Sequence, residues 1–122
     1  MTPSKDLVAA SSVPLVLAIL ARGDSYGYEI IQKVDELSDG RWAWSEGMLY
    51  PVLHKLEKAG LVRSYWHAAA GQRRRRYYKL LPAGRAELDV RVQEWGQVHE
   101  VLMRTVAKVP DAGSDAGSGG AG

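Results

Sequence analysis

The sequence predicts a mainly helical α+β chain: three helices, a basic two-stranded hairpin and one long final helix. Three observations carry that expectation. Leu49, Val52, Leu53 and Leu56 repeat at the i, i+3, i+4, i+7 spacing of a single helix face, between a capping Ser45 and a terminating Gly60. Two strand-like runs follow at once, the second opening on Arg73, Arg74, Arg75 and Arg76. A seven-residue apolar repeat then occupies the last third of the chain.

Residues from Lys5 to Ala21 form a first helix, where Val13, Val16, Leu17, Ile19 and Leu20 give an almost all-round apolar surface that must be packed on several sides. Gly23-Asp24-Ser25 breaks the chain, and Asp24 or Ser25 can accept the free N–H groups of a new helix start. A second helix runs from Tyr26 to Leu37 with an inward stripe of Ile30, Ile31, Val34 and Leu37, and Ser38-Asp39-Gly40 ends it. Arg41-Trp42-Ala43-Trp44 has strand composition and is expected to supply a small first strand. Ser45 then caps the third helix. Its outward face, at about 100° per residue, collects Gly47, Pro51, His54, Lys55 and Lys58, with Tyr50 on the flank. Pro51 removes one helical hydrogen bond and predicts an irregular opening turn.

Gly60 closes that helix, Leu61 to His67 make a strand, Ala68 to Gln72 a turn, and Arg73 to Leu81 the returning strand. The last helix is predicted from Pro82 to Val109, about 40 Å long at 1.5 Å per residue. Leu88, Val92, Trp95, His99, Leu102, Val106 and Val109 alternate steps of four and three along it. A small domain cannot cover so long a stripe, so a second copy of the chain is the economical partner. Leu88, Val92, Trp95, Leu102 and Val106 are the expected dimer interface. Residues 110–122 are almost entirely Gly, Ala, Ser and Asp and are expected to be a disordered tail.

Helix, helix, capped helix, hairpin is the order of a winged helix-turn-helix, here at residues 5–81, with residues 82–109 as a C-terminal dimerisation helix. Charge agrees with a DNA partner. The net charge is only +2, but residues 55 to 79 carry eight basic groups against the single acid Glu57. In this fold the third helix enters the major groove and the hairpin reaches adjacent backbone. Ser45, Gly47, Met48, Tyr50, Pro51, His54 and Lys55 are the candidate reader, and Arg73 to Arg76 the candidate phosphate grip. Strand alternation sends successive arginines to opposite faces, so two or three phosphate contacts per subunit are expected from the four.

Other classes fit less well. The chain has no cysteine, hence no disulfide framework or thiolate metal site, and a reducing cytoplasm suits it. The apolar run from Val13 to Ala21 is nine residues, far below the roughly 18 to 20 needed to span a bilayer. No glycine-rich phosphate loop is present, and His54, His67 and His99 fall on three different elements. An enzyme, a catalytic or metal centre, or a bound cofactor is therefore not expected. A winged-helix module that meets another protein is the stronger rival.

Three stretches together resemble the PadR family of bacterial transcriptional regulators. They are Tyr26-Gly27-Tyr28-Glu29-Ile30, the run from Ser45 to Val62, and Arg75-Arg76-Tyr77-Tyr78-Lys79-Leu80. The single C-terminal helix is similar to that of the family's smaller subfamily. The resemblance implies a homodimeric repressor that binds double-stranded DNA at a pseudo-palindromic operator and is released by a small aromatic or hydrophobic effector. In the multidrug-responsive members a tryptophan of the last helix lines a cavity between subunits. Trp95 occupies the matching place, and Val13, Val92, Val98 and His99 are the ligand-binding residues carried over with it. Trp95 either stacks on a ligand there or fills the dimer seam. Two departures are Met48, where the family usually has a small or hydroxyl residue, and Leu81-Pro82, where it usually has a threonine cap.

Overall fold

The computed structural model describes residues 3–110, so the expected tail lies outside the described residues except for Pro110. Four helices and a three-stranded antiparallel sheet follow in the order α1 (Lys5–Ala21), β1 (Ser25–Tyr26), α2 (Gly27–Leu37), α3 (Glu46–Lys58), β2 (Val62–His67), β3 (Arg75–Leu80) and α4 (Pro82–Val106). This is the mainly α winged helix-turn-helix with a long C-terminal helix. The chain divides into two compact units between Arg91 and Val92.

In the first unit α1 is capped by Ser4, whose Oγ accepts from the Leu7 amide at 3.1 Å. Burial is concentrated in its second half, where Val16 and Leu17 are fully enclosed and Ile19 and Leu20 nearly so, whereas Leu7 is exposed. They meet Ile30 and Val34 from α2, Leu49, Leu53 and Leu56 from α3, Val62 and Tyr78 from the sheet, and Leu88 from α4 in one core. Full burial of each aliphatic side chain contributes about 1.5 to 3 kcal/mol.

The small first strand is not where the sequence suggested. Arg41 to Trp44 is irregular, because Ser38 Oγ takes up the Trp42 amide at 3.0 Å and the Trp44 side chain turns into the core. Its place is taken by Ser25–Tyr26, paired with β3 through Ser25 opposite Tyr78 and Tyr26 opposite Tyr77, giving the order β1-β3-β2. That pairing also corrects the start of α2. Tyr26 is the residue before the helix and makes no side-chain cap. Ser25 Oγ donates instead to the Glu29 carboxylate, while Asp24 accepts from the Tyr65 hydroxyl at 2.6 Å. Leu37, expected inside, is 59 % exposed, since the buried stripe of α2 stops one turn earlier at Val34.

The hairpin joins β2 to β3 in register from Val62 opposite Leu80 to His67 opposite Arg75. Arg73 and Arg74, expected in the strand, belong to the turn, where Gly71 adopts a left-handed φ of 74° that a side chain disfavours. The helix α4 starts at Pro82, whose preset φ suits a first helical position. Its first turn lies against the entry to β2: the Leu81 amide donates to the Leu61 carbonyl at 3.0 Å, and a Cβ built on Gly84 would stand 2.1 Å from that same oxygen. Helical structure ends at Val106 rather than Val109. In the second unit the helix carries Val92, Trp95, Val98, Val101, Leu102 and Val106, all exposed, with an Arg104–Glu100 ion pair at 2.9 Å.

Candidate nucleic-acid interface

The candidate reader helix, α3, forms as its sequence requires. Ser45 Oγ accepts from the Met48 amide at 3.2 Å, and Glu46 sits in the first turn where the helix dipole favours an acid. Leu49, Leu53 and Leu56 lock one face into the core, with Val52 half-buried beside them. The other face is therefore held outward: Gly47, Tyr50, Pro51, His54, Lys55 and Lys58 are exposed and Met48 is half-buried. Pro51 does not interrupt α3, which is helical from Glu46 to Lys58 without a break in place of the irregular opening turn expected.

Tyr50 is placed by α2. A Cβ at Gly27 would meet the Tyr50 hydroxyl at 2.7 Å and its ring at 3.0 Å, so the phenol lies directly over the bare backbone at the start of α2. The glycine in Tyr26-Gly27-Tyr28 thus leaves room for Tyr50, a role that becomes visible only when the two helices are brought together.

The four arginines take different supports. Arg74 lies over the Trp66 ring at 4.9 Å and Arg75 over Tyr26 at 4.4 Å, both within the range of a cation–π contact. Arg76 pairs at 3.4 Å with Glu57 on the last turn of α3, and the same carboxylate accepts from Ser64 Oγ at 2.6 Å. Glu57 therefore connects the reader helix to both strands of the hairpin. Arg73 is exposed at the turn. Tyr26, Tyr65 and His67 surround Tyr77 with ring centres 5.2 to 5.8 Å away, giving the hairpin a stiff aromatic base. The hydrogen bond that Tyr65 donates to Asp24 raises its pKa, and burial raises that of Tyr78, so both phenols stay protonated at neutral pH.

One open groove of about 420 Å³ brings these parts together. It is bordered by Tyr50 and Glu46 of α3, Tyr26, Gly27 and Tyr28 at the start of α2, and Trp66 with Arg73, Arg74, Arg75 and Arg76 of the hairpin. Of the residues expected to meet DNA, Tyr50 and the four arginines share this groove. Ser45, Gly47, Met48, Pro51, His54 and Lys55 lie elsewhere on α3. Tyr28 and Trp66 are additions, half exposed, that sequence periodicity passed over. Of the residues expected to bind an effector, Val13 is a core residue, 7 % exposed, and Val92, Trp95, Val98 and His99 are exposed on α4. Among the described residues no cluster of three or more His, Cys, Asp or Glu could hold a metal ion, and no helix is long and apolar enough to cross a membrane.

Known proteins share both the sequence pattern and the fold. The family described as "Transcriptional regulator PadR-like family" matches residues 16–90. A transcriptional regulator from Clostridium thermocellum superposes with a TM-score of 0.76 at 30 % identity, covering 84 % of this chain and 97 % of the other. A PadR family transcription regulator from Clostridium difficile does so at 0.69 and 32 % identity, covering 79 % and 98 %. A transcriptional regulator of Mycobacterium tuberculosis is 49 % identical over 53 residues, which is 43 % of this chain and 49 % of that protein.

Proposed function

From the premise that this chain belongs to the PadR-like family of transcriptional regulators, we propose that it is a homodimeric repressor of the cytoplasm, holding double-stranded DNA with α3 and the hairpin and released by a small aromatic or hydrophobic effector. The observation that carries the DNA-binding part is the shared groove, in which a tyrosine of the reader helix and four arginines of the hairpin face one space. Residues 5–81 act as the DNA-binding module and the exposed apolar stripe from Val92 to Val109 as the dimer seam, while Leu88, expected in that seam, is buried in the chain's own core.

Sequence would be read by His54 and Lys55 donating to guanine acceptors, with Met48 or Pro51 against thymine methyls and Tyr50 at base or phosphate. The decisive experiment is titration of operator and random duplexes over a range of salt, paired with a footprint. Binding to both should weaken steeply with salt, and the footprint should show two half-sites about one helical turn apart or a multiple of it. Salt-independent binding would instead identify a protein-docking module. A single unpaired half-site would refute the dimer.

Glu57→Gln should strengthen rather than weaken binding. Its loss frees Arg76 for phosphate, so the slope of log affinity against log salt should steepen by about 0.9 per subunit. The folding cost should stay below about 1 kcal/mol, because the Arg76–Glu57 pair is partly exposed. An unchanged slope would show that Arg76 does not reach DNA.

The effector is assigned to Trp95, 38 % exposed on α4 and so accessible to stack on a flat molecule between two subunits. Trp95→Ala should weaken planar aromatic dyes by about 0.5 to 1.5 kcal/mol beyond the area lost. Fluorescence titration measures this, and undiminished dye affinity would leave Trp95 as seam packing alone.

A further inference from the structure

A second groove, of about 590 Å³, opens between the first half of α1 and the reader helix, and α4 contributes none of its lining. Its walls include Val8 and Ala9 of α1 and Met48 and Val52 of α3, and Lys5 and Lys55 also line it. A volume of this size lies within the roughly 300 to 1,000 Å³ of small-molecule sites. Neither lysine is in an ion pair among the described residues, although Lys33, Arg76, Arg85, Arg91 and Arg104 each have an acid within 4 Å. An apolar trough with two cations in its lining complements one class of occupant, a molecule with a hydrocarbon body and a single negative head. Duplex DNA offers phosphates and at most a thymine methyl against Met48, which leaves Val8, Ala9 and Val52 uncovered, and a neutral hydrophobe would leave both ammonium groups unused. The geometry points to a binding site for an amphipathic carboxylate or sulfonate, its body against Val8, Ala9, Met48 and Val52 and its anion between Lys5 and Lys55.

Occupancy has a consequence for the proposed DNA contact. Met48 and Lys55 belong to the candidate reader surface, so an anion held by Lys55 competes with DNA for the same charge. This coupling rests on the DNA reading of α3, whereas the site itself does not.

Two-dimensional amide NMR of the whole chain, titrated with decanoate and with decanol as the uncharged control, tests the site without DNA. Saturable shifts are expected at Val8, Ala9, Met48 and Val52, with decanoate binding more tightly than decanol. Lys5→Gln and Lys55→Gln should each weaken decanoate about two- to five-fold, the range of an exposed ion pair, and leave decanol unchanged. Ala9→Trp, a change at an exposed helix position, fills the trough and should abolish the shifts while the rest of the spectrum keeps its dispersion. Shifts confined to α4, equal affinity for the two probes, or shifts that follow protein concentration without ligand would overturn the site, the last because a second copy would then cover the groove. Shifts at these residues produced by duplex DNA but not by decanoate would overturn it equally. With the site present, decanoate should lower DNA affinity in the wild type and not in Ala9→Trp; equal affinities with and without decanoate would overturn the coupling alone.

Discussion

Replacing Gly84 with alanine should lower folding stability by about 3 kcal/mol, the upper part of the range for forcing an extra carbon into a packed site. The added Cβ would fall 2.1 Å from the Leu61 carbonyl oxygen and 2.6 Å from a methyl of Leu80. The methyl can turn away, but the oxygen belongs to backbone that already accepts from the Leu81 amide, so relief requires α4 to lift from the start of β2. Gly96→Ala is the matched control. It lies in the same helix with nothing within 4 Å of its added Cβ, and should gain about 0.5 to 1 kcal/mol from helix propensity. Thermal unfolding at one fixed protein concentration, needed because the proposed dimer would shift the midpoint with concentration, should separate the two variants by well over 10 °C at about 4 to 8 °C per kcal/mol. Equal midpoints for Gly84→Ala and wild type would contradict the packing of α4 on β2.

The second large effect is expected from Arg73→Ala with Arg74→Ala. Arg73 is exposed and Arg74 is held by Trp66 without an acidic partner, so both remain available to phosphate, unlike Arg76 with its Glu57. Removing both should flatten the salt slope by about 3.6 for a dimer, at about 0.9 for each phosphate lost, and weaken operator and random duplex alike. Arg74→Lys should restore its share of the slope yet bind less tightly, because an ammonium keeps the charge but gives up the flat stacking that pre-orients the guanidinium. Loss of affinity for the operator alone would mean that these residues read bases. No change in slope would remove the hairpin from the DNA interface.

Much of this was legible in the sequence because helical periodicity is a local property. The bounds of α1 and the cap and buried face of α3 followed from spacing and side-chain chemistry within a few residues. What escaped was set by contacts distant along the chain. Ser25–Tyr26 is a strand only because Tyr77 and Tyr78 lie beside it, and Trp42 is not one because Ser38 claims its amide. The same holds at the site. Four adjacent arginines announce a polyanion, but nothing in the run says that Arg76 is tied to Glu57, nineteen positions earlier, or that Gly27 makes room for Tyr50. Lys5 is a lone charge near the start of the chain in the sequence, and gains meaning only as part of the groove that Lys55 also lines.

The double anchoring of the hairpin bears on the thermodynamics of capture. Its central strand β3 is paired to β1 and tied by Arg76 to Glu57 of α3, and its outer strand β2 is tied to the same carboxylate by Ser64, so the stretch not already fixed to the helical body is the seven residues from Ala68 to Arg74. Fixing a residue's backbone costs about 1 to 2 kcal/mol of entropy, and here that loss on meeting DNA is confined to the tip. Encounter should then resemble rigid docking steered by charge, with an association rate that falls with salt and changes little with temperature-dependent ordering of the protein.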